Sequence, residues 1–129
     1  MNITEKTYGT DRGIIHYWTG PAEAGRPWLV FLPGLTADRR LFDRQMEGLS
    51  GAFNCLVWDA PAHGRSRPFT LDFSLADMAK YLSDILTAEG ISRPVLVGQS
   101  LGGYIAQVYM ARRPGTAAGF ISIDSSSME

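Results

Sequence analysis

The sequence has 129 residues, 45% hydrophobic and 19% charged, a size and balance suited to one soluble globular domain and too short for two. Twelve basic and thirteen acidic side chains are interspersed and leave a net charge of −1, which gives no footprint for nucleic acid or for an anionic membrane surface. Apolar runs stop far short of the roughly 20 residues a membrane span requires.

The first residues, Met1 to Lys6, lack a basic segment followed by an apolar core, so no secretory signal is read. Residues 14–18, Ile14 to Trp18, then read as an antiparallel edge strand or hairpin arm, with His16 an ordinary surface or half-buried histidine. Trp28 to Leu32 is apolar on both faces and stops at Pro33-Gly34. A weaker stripe of helical period follows in Leu41, Phe42, Gln45, Met46 and Leu49, with Arg39, Arg40 and Arg44 on a solvated face. Cys55 to Trp58 is the second apolar run and ends at Asp59. Its cysteine is the only one in the chain, reads as a buried thiol, and fits a reducing, cytoplasmic setting.

Ser74 opens a capping-box pattern with Asp77, and Leu75, Met78, Leu82, Ile85 and Leu86 recur at helical spacing until Gly90. A third run, Pro94 to Val97, stops at Gly98. Ile105, Val108 and Tyr109 then share a helix face up to Arg113-Pro114-Gly115, where Arg112 and Arg113 suit a helix C-terminus. The last run, Phe120 to Ile123, stops at Asp124, and Ser125 to Ser127 reads as loose chain. Short apolar runs alternating with helices predict an α/β fold: a mostly parallel open sheet with right-handed crossovers and helices on both faces.

In such sheets function gathers where the strands end at their carboxyl edge. Val95 to Gly103 there reads as strand, G-x-S-x-G, then helix. A serine hydroxyl is a poor nucleophile unless a base can reach it. A tight strand-to-helix turn supplies that access by holding the serine clear of the sheet in a strained conformation. Glycines on either side leave room for the bend, and the N-terminus of the following helix favours developing negative charge. Ser100 is therefore the candidate nucleophile, against the plainer reading of a serine that caps the helix.

The segment GQSLGG resembles the nucleophile elbow of the α/β-hydrolase superfamily, and two further stretches agree. Asp59 to Ser66 is similar to the family's D-x-P-G-H-G-x-S loop, with Ala62 in place of a glycine. Leu32 to Leu35 stands where the family has its H-G-x oxyanion loop, with Pro33 in place of the histidine. The likeness extends over about residues 12–124. It implies an oxyanion hole formed by the backbone N–H groups of Leu35 and Leu101, loop-fixing parts for Asp59 and His63, and an acyl-enzyme mechanism on a carboxylic-ester-type small molecule. No cofactor and no metal are implied.

The family's triad runs serine, acid, histidine, whereas both histidines here, His16 and His63, precede Ser100. Asp124 stands where some relatives carry the acid, and equally where a strand-end turn would place an aspartate. The chain thus reads as residues 1–129 of the N-terminal portion of a single hydrolase domain, truncated after the strand that follows the nucleophile helix. By itself it is expected to lack turnover. An unpaired last strand would invite a complementary C-terminal segment or a second copy of the chain. Two other readings compete. One is a non-catalytic protein of the same fold. The other is a nucleotide-binding module, since Gly98-x-Ser100-x-x-Gly103 is one substitution from G-x-G-x-x-G, although Ser100 would obstruct the pyrophosphate.

Overall fold

A computed structural model describes residues 2–125; the expectation for Ser126 and Ser127 lies outside the described residues. Six strands form one sheet: β1 (Thr4–Gly9), β2 (Ile14–Thr19), β3 (Trp28–Leu32), β4 (Asn54–Trp58), β5 (Val95–Gln99) and β6 (Gly119–Ile123). A 3₁₀ turn at Arg39–Phe42 leads into α1 (Asp43–Leu49), and α2 (Leu75–Ala88) and α3 (Leu101–Arg112) fill the later crossovers. No helix among the described residues is long and apolar enough to cross a membrane.

The strand order is β1-β2-β4-β3-β5-β6. Strands β4, β3, β5 and β6 are parallel, and β1 and β2 join antiparallel on the β4 side. From β3 the chain passes first to β4 on one side and later to β5 on the other. The carboxyl ends of β3 and β5 therefore lie side by side at the point where strand order reverses, where open α/β sheets form their binding crevice. Leu32 pairs with Gly98 at that end, so the loops after the two strands leave the sheet at one level.

Alternation along each strand explains why the central runs are apolar throughout. Val30, Leu32, Leu56, Trp58 and Leu96 pack on one face against Leu82, Ile85 and Leu86 of α2 and Ile105 of α3. Leu29, Phe31, Cys55, Val57 and Val97 pack on the other against Phe42 and Met46. A sheet buried on both sides leaves its inner strands few polar positions, and here Asn54 and Gln99 stand at strand ends. The expected stripe over 41–49 is thus split in two, with Leu41 exposed rather than in the core.

Ile14–Thr19 is a hairpin arm but not an edge, because β1 pairs outside it along its whole length. Thr4–Gly9 alternates between exposed and half-buried residues, so it carries no apolar run to reveal it. Glu89 fastens this hairpin to the end of α2 by accepting from Lys6 Nζ (2.9 Å) and Tyr17 Oη (2.7 Å). At the other end of α2 both halves of the capping box are made: Asp77 N–H donates to Ser74 Oγ at 3.1 Å and Ser74 N–H to Asp77 Oδ2 at 2.9 Å. The left-handed residue that stops the helix is Gly90, at φ 72.

Cys55 is fully buried in β4, and burial pushes its thiol up to about 11. Both access and thiolate are then lacking at neutral pH. In the native protein Cys55, followed by peptide mapping, is expected not to react with a disulfide reagent at pH 8 on the minutes timescale, and to react once denaturant is added. Prompt reaction without denaturant would contradict the burial.

Candidate active site

Strand β5 meets α3 at a single residue. Ser100 has φ 53 and ψ −117, a region that side-chain-bearing residues rarely occupy and that costs roughly 1–3 kcal/mol unless its surroundings enforce it. Enforcement comes from the main chain. Ser100 N–H donates to the Ile123 carbonyl (2.8 Å), and the Ser100 carbonyl accepts from Gly103 N–H (2.8 Å). The side chain makes no capping bond to α3, and its hydroxyl has no hydrogen-bond partner among the described residues. A capping serine would spend its oxygen on the helix; this one does not.

The neighbouring glycines are there for space, since none of the three has a left-handed φ. A Cβ on Gly98 would lie 2.6 Å from the Gly102 carbonyl and from Gly103 Cα. One on Gly102 would run into the Leu32 carbonyl, and one on Gly103 into the Ser125 side chain. The bend brings α3 back onto the ends of β3 and β6, and only glycine lets the backbones approach that closely.

The loop after β3 lies against the bend. A Cβ on Gly34 would stand 2.6 Å from the Gln99 carbonyl oxygen and 2.8 Å from Ser100 Cβ. Gly34 N–H donates to Gln99 Oε1 at 2.8 Å, and Ala37 N–H closes a turn on the Gly34 carbonyl at 3.1 Å. Within that turn Thr36 takes φ 65, an outlier for a β-branched residue. Leu35 is 64% exposed. Neither Leu35 N–H nor Leu101 N–H has an acceptor among the described residues, and the latter belongs to the helix turn whose amides have no partner within the helix. The structure therefore brings Ser100 together with the two segments that carry the expected donors.

Asp59 organises the facing loop. Its buried carboxylate accepts from Arg39 N–H and Arg65 N–H, both at 2.8 Å, which ties the 3₁₀ turn to residues 59–66. Ser66 Oγ donates to the Asp59 carbonyl (2.6 Å) and accepts from His16 N–H (2.9 Å). Arg39 lies over the Trp18 ring, 4.6 Å from its centroid, rather than on a merely solvated face.

Each of the two histidines has a partner other than Ser100. His63 Nδ1 lies 3.0 Å from the Pro61 carbonyl, and His16 Nδ1 lies 2.7 Å from Glu5, a contact that is the leading cause holding the Glu5 carboxyl below its ordinary value. Thr36, Ala37, Asp38, Ala62, His63 and Arg67 border an open cleft of about 410 Å³ between the two loops. Asp124 is exposed at the end of β6 at φ 52, one residue beyond the carbonyl that anchors Ser100.

Ala62, the residue standing where the resemblance expects glycine, has φ 70. Left-handed backbone costs a Cβ-bearing residue roughly 1–2 kcal/mol, part of which glycine loses again through a more flexible unfolded chain. Ala62→Gly is expected to raise stability by up to about 1 kcal/mol, read from the denaturation midpoint. A loss of that size would show that φ 70 is not the native value.

Comparison with known proteins places this geometry. Residues 27–129 match the family described as alpha/beta hydrolase fold, and the chain belongs to that family. It is 40% identical over 83 residues to a 2-succinyl-6-hydroxy-2,4-cyclohexadiene-1-carboxylate synthase of Yersinia pseudotuberculosis, covering 64% of this chain and 30% of that protein. It is 36% identical over 98 residues to the magnesium-chelatase 30 kDa subunit of Rhodobacter capsulatus, covering 73% and 34%. Among solved structures it superposes on a membrane phospholipase A with a TM-score of 0.85 at 26% identity, covering 98% of this chain and 41% of that one. It superposes on an N-acyl homoserine lactonase, AidH, with a TM-score of 0.81 at 25% identity, covering 94% and 44%. The chain thus spans less than half the length of these relatives.

The side chain of Gln99 and the left-handed conformations of Thr36 and Ala62 are the parts of this site that the sequence reading missed. A polar residue closing an otherwise apolar strand was the available signal for the first.

Proposed function

We propose that this chain carries the nucleophile and oxyanion-binding portion of a serine hydrolase acting on carboxylic-ester-type small molecules. Ser100 Oγ attacks the substrate carbonyl carbon, and the carbonyl oxygen, as it becomes negative, accepts from the N–H groups of Leu35 and Leu101. The serine proton passes to an imidazole and on to the departing alcohol as the C–O bond breaks. Water then cleaves the acyl-enzyme. His16 and His63 are committed elsewhere, so this reading takes the imidazole and its acid from sequence outside the chain, in a protein as long as its relatives. It also takes the open side of β6, where Ile121 is 51% and Ile123 37% exposed, as the docking edge for the next strand of that domain.

The observation that carries the reading is the strained, uncapped Ser100 beside amides that lack acceptors. The phospholipase and lactonase among the structural neighbours support an ester-type substrate. A second reading is a protein of this fold that performs no turnover, because neither histidine follows Ser100 and both have other partners. A fluorophosphonate probe separates the two. The native polypeptide is expected to be labelled at Ser100, located by peptide mapping, and the isolated 129-residue chain to show little turnover. A folded native protein that resists the probe would favour the second reading.

A further inference from the structure

We infer that Gln99 is a positioning residue: its side chain selects which amide of the loop after β3 faces the substrate oxygen. The inference rests on the hydrolase reading above. Pro33 has no N–H, so the first two amides of that loop are those of Gly34 and Leu35. Gln99 Oε1 engages the first at 2.8 Å, across 65 residues of sequence, and so leaves the second for substrate. The contact has no slack, because Gly34 packs directly on the Gln99 carbonyl and on Ser100 Cβ.

The same bond holds a strained turn. Thr36, at φ 65, lies inside the turn that Ala37 N–H closes on the Gly34 carbonyl. A β-branched residue stays in that conformation only where its surroundings over-determine it. The fixed φ of Pro33 and the Gln99 bond on Gly34 supply the constraint from the strand side. Without the Gln99 acceptor, Gly34 N–H loses its partner, Thr36 is free to relax, and the Leu35 amide turns away from the position beside Ser100. Gln99 touches no substrate in this scheme; it acts through the loop.

Two variants test this in the native polypeptide, with the fluorophosphonate as probe. Gln99→Met keeps length and removes the acceptor. It is expected to lower the maximal labelling rate by about 10- to 100-fold, somewhat less than loss of a whole oxyanion donor. The half-saturating probe concentration should stay unchanged, the fold should be retained with at most a small drop in Tm, and amide exchange at Gly34 should accelerate. Gln99→Glu keeps the acceptor but places a carboxylate beside the developing oxyanion. Its labelling rate relative to wild type is expected to fall as pH rises through the carboxylate range, a profile that a merely structural residue would not produce. Should the methionine variant fail to fold, the glutamate ratio decides. Labelled wild type with Gln99→Met equally fast, or a pH-independent Gln99→Glu ratio, overturns the inference and leaves the hydrolase reading standing. An unlabelled, folded wild type removes both.

Discussion

In the longer native polypeptide that the hydrolase reading calls for, Ser100→Ala is expected to give a folded protein that no longer takes the fluorophosphonate and whose ester turnover falls by about 10⁴-fold or more, the scale seen when an acyl-transfer nucleophile is removed. The effect should be confined to chemistry, because the Ser100 side chain holds nothing in place: it neither caps α3 nor bonds to another described residue. Ser100→Gly sharpens the point. At φ 53 and ψ −117 glycine is the residue best suited to the backbone, so this variant should be equally inactive and more stable than wild type by about 1 kcal/mol. Activity and stability would then move in opposite directions at one position, as expected where strain is retained for chemistry. Rate measurements on an activated ester with matched denaturant titrations provide the check. Residual turnover near wild type in either variant would remove Ser100 from the mechanism.

The largest loss of stability is expected from Gly102→Ala. The added methyl group meets the Leu32 carbonyl, a main-chain atom at the end of the central strand β3. Strand β3 is hydrogen-bonded to β4 on one side and β5 on the other, so it cannot move aside without disturbing both pairings. Lifting α3 instead would open the contact with α2 and the buried face of Ile105. A cost of about 3 kcal/mol or more is expected, a large share of the 5–15 kcal/mol that holds a typical domain together. Gly48 serves as the control. It is exposed within α1, and a Cβ there meets nothing within 4 Å, so Gly48→Ala should gain about 0.5–1 kcal/mol. Chemical denaturation of the two variants side by side checks the contrast, and equal effects would mean that α3 does not press on β3 as described.

What the sequence made legible follows from what each element must hide. Strand β3 and residues 55–58 of β4, covered on both faces, had to be apolar, and α2 had to show an amphipathic stripe with a cap. All three could be read directly. The elbow was legible because close backbone approach leaves only glycine at positions 98 and 102. Strand β1 escaped because one of its faces meets water, so its residues alternate between polar and half-buried without an apolar run. The interior place of β2 depends on that strand and was lost with it. Strand order also lay outside local patterning, since nothing within β4 or β5 says on which side of β3 each will pair. At the site, Ser100 and the two loops were placed by motif. The link from Gln99 to Gly34 is a tertiary contact between a side chain and a distant amide, and no spacing rule announces it.

The pairing of Leu32 with Gly98 has a kinetic implication. On the reading proposed above, the Ser100 hydroxyl and the Leu101 amide belong to one segment and the Leu35 amide to another far away in the chain, and the two segments share one rim only when β3 and β5 align in that register. A slip of one residue would turn the slipped strand's side chains to the opposite face and offset the two loops by about 3.3 Å, too far for a single oxygen to reach both amides. Competence should therefore appear late in folding and all at once, in step with closure of the sheet's centre rather than with formation of any single helix.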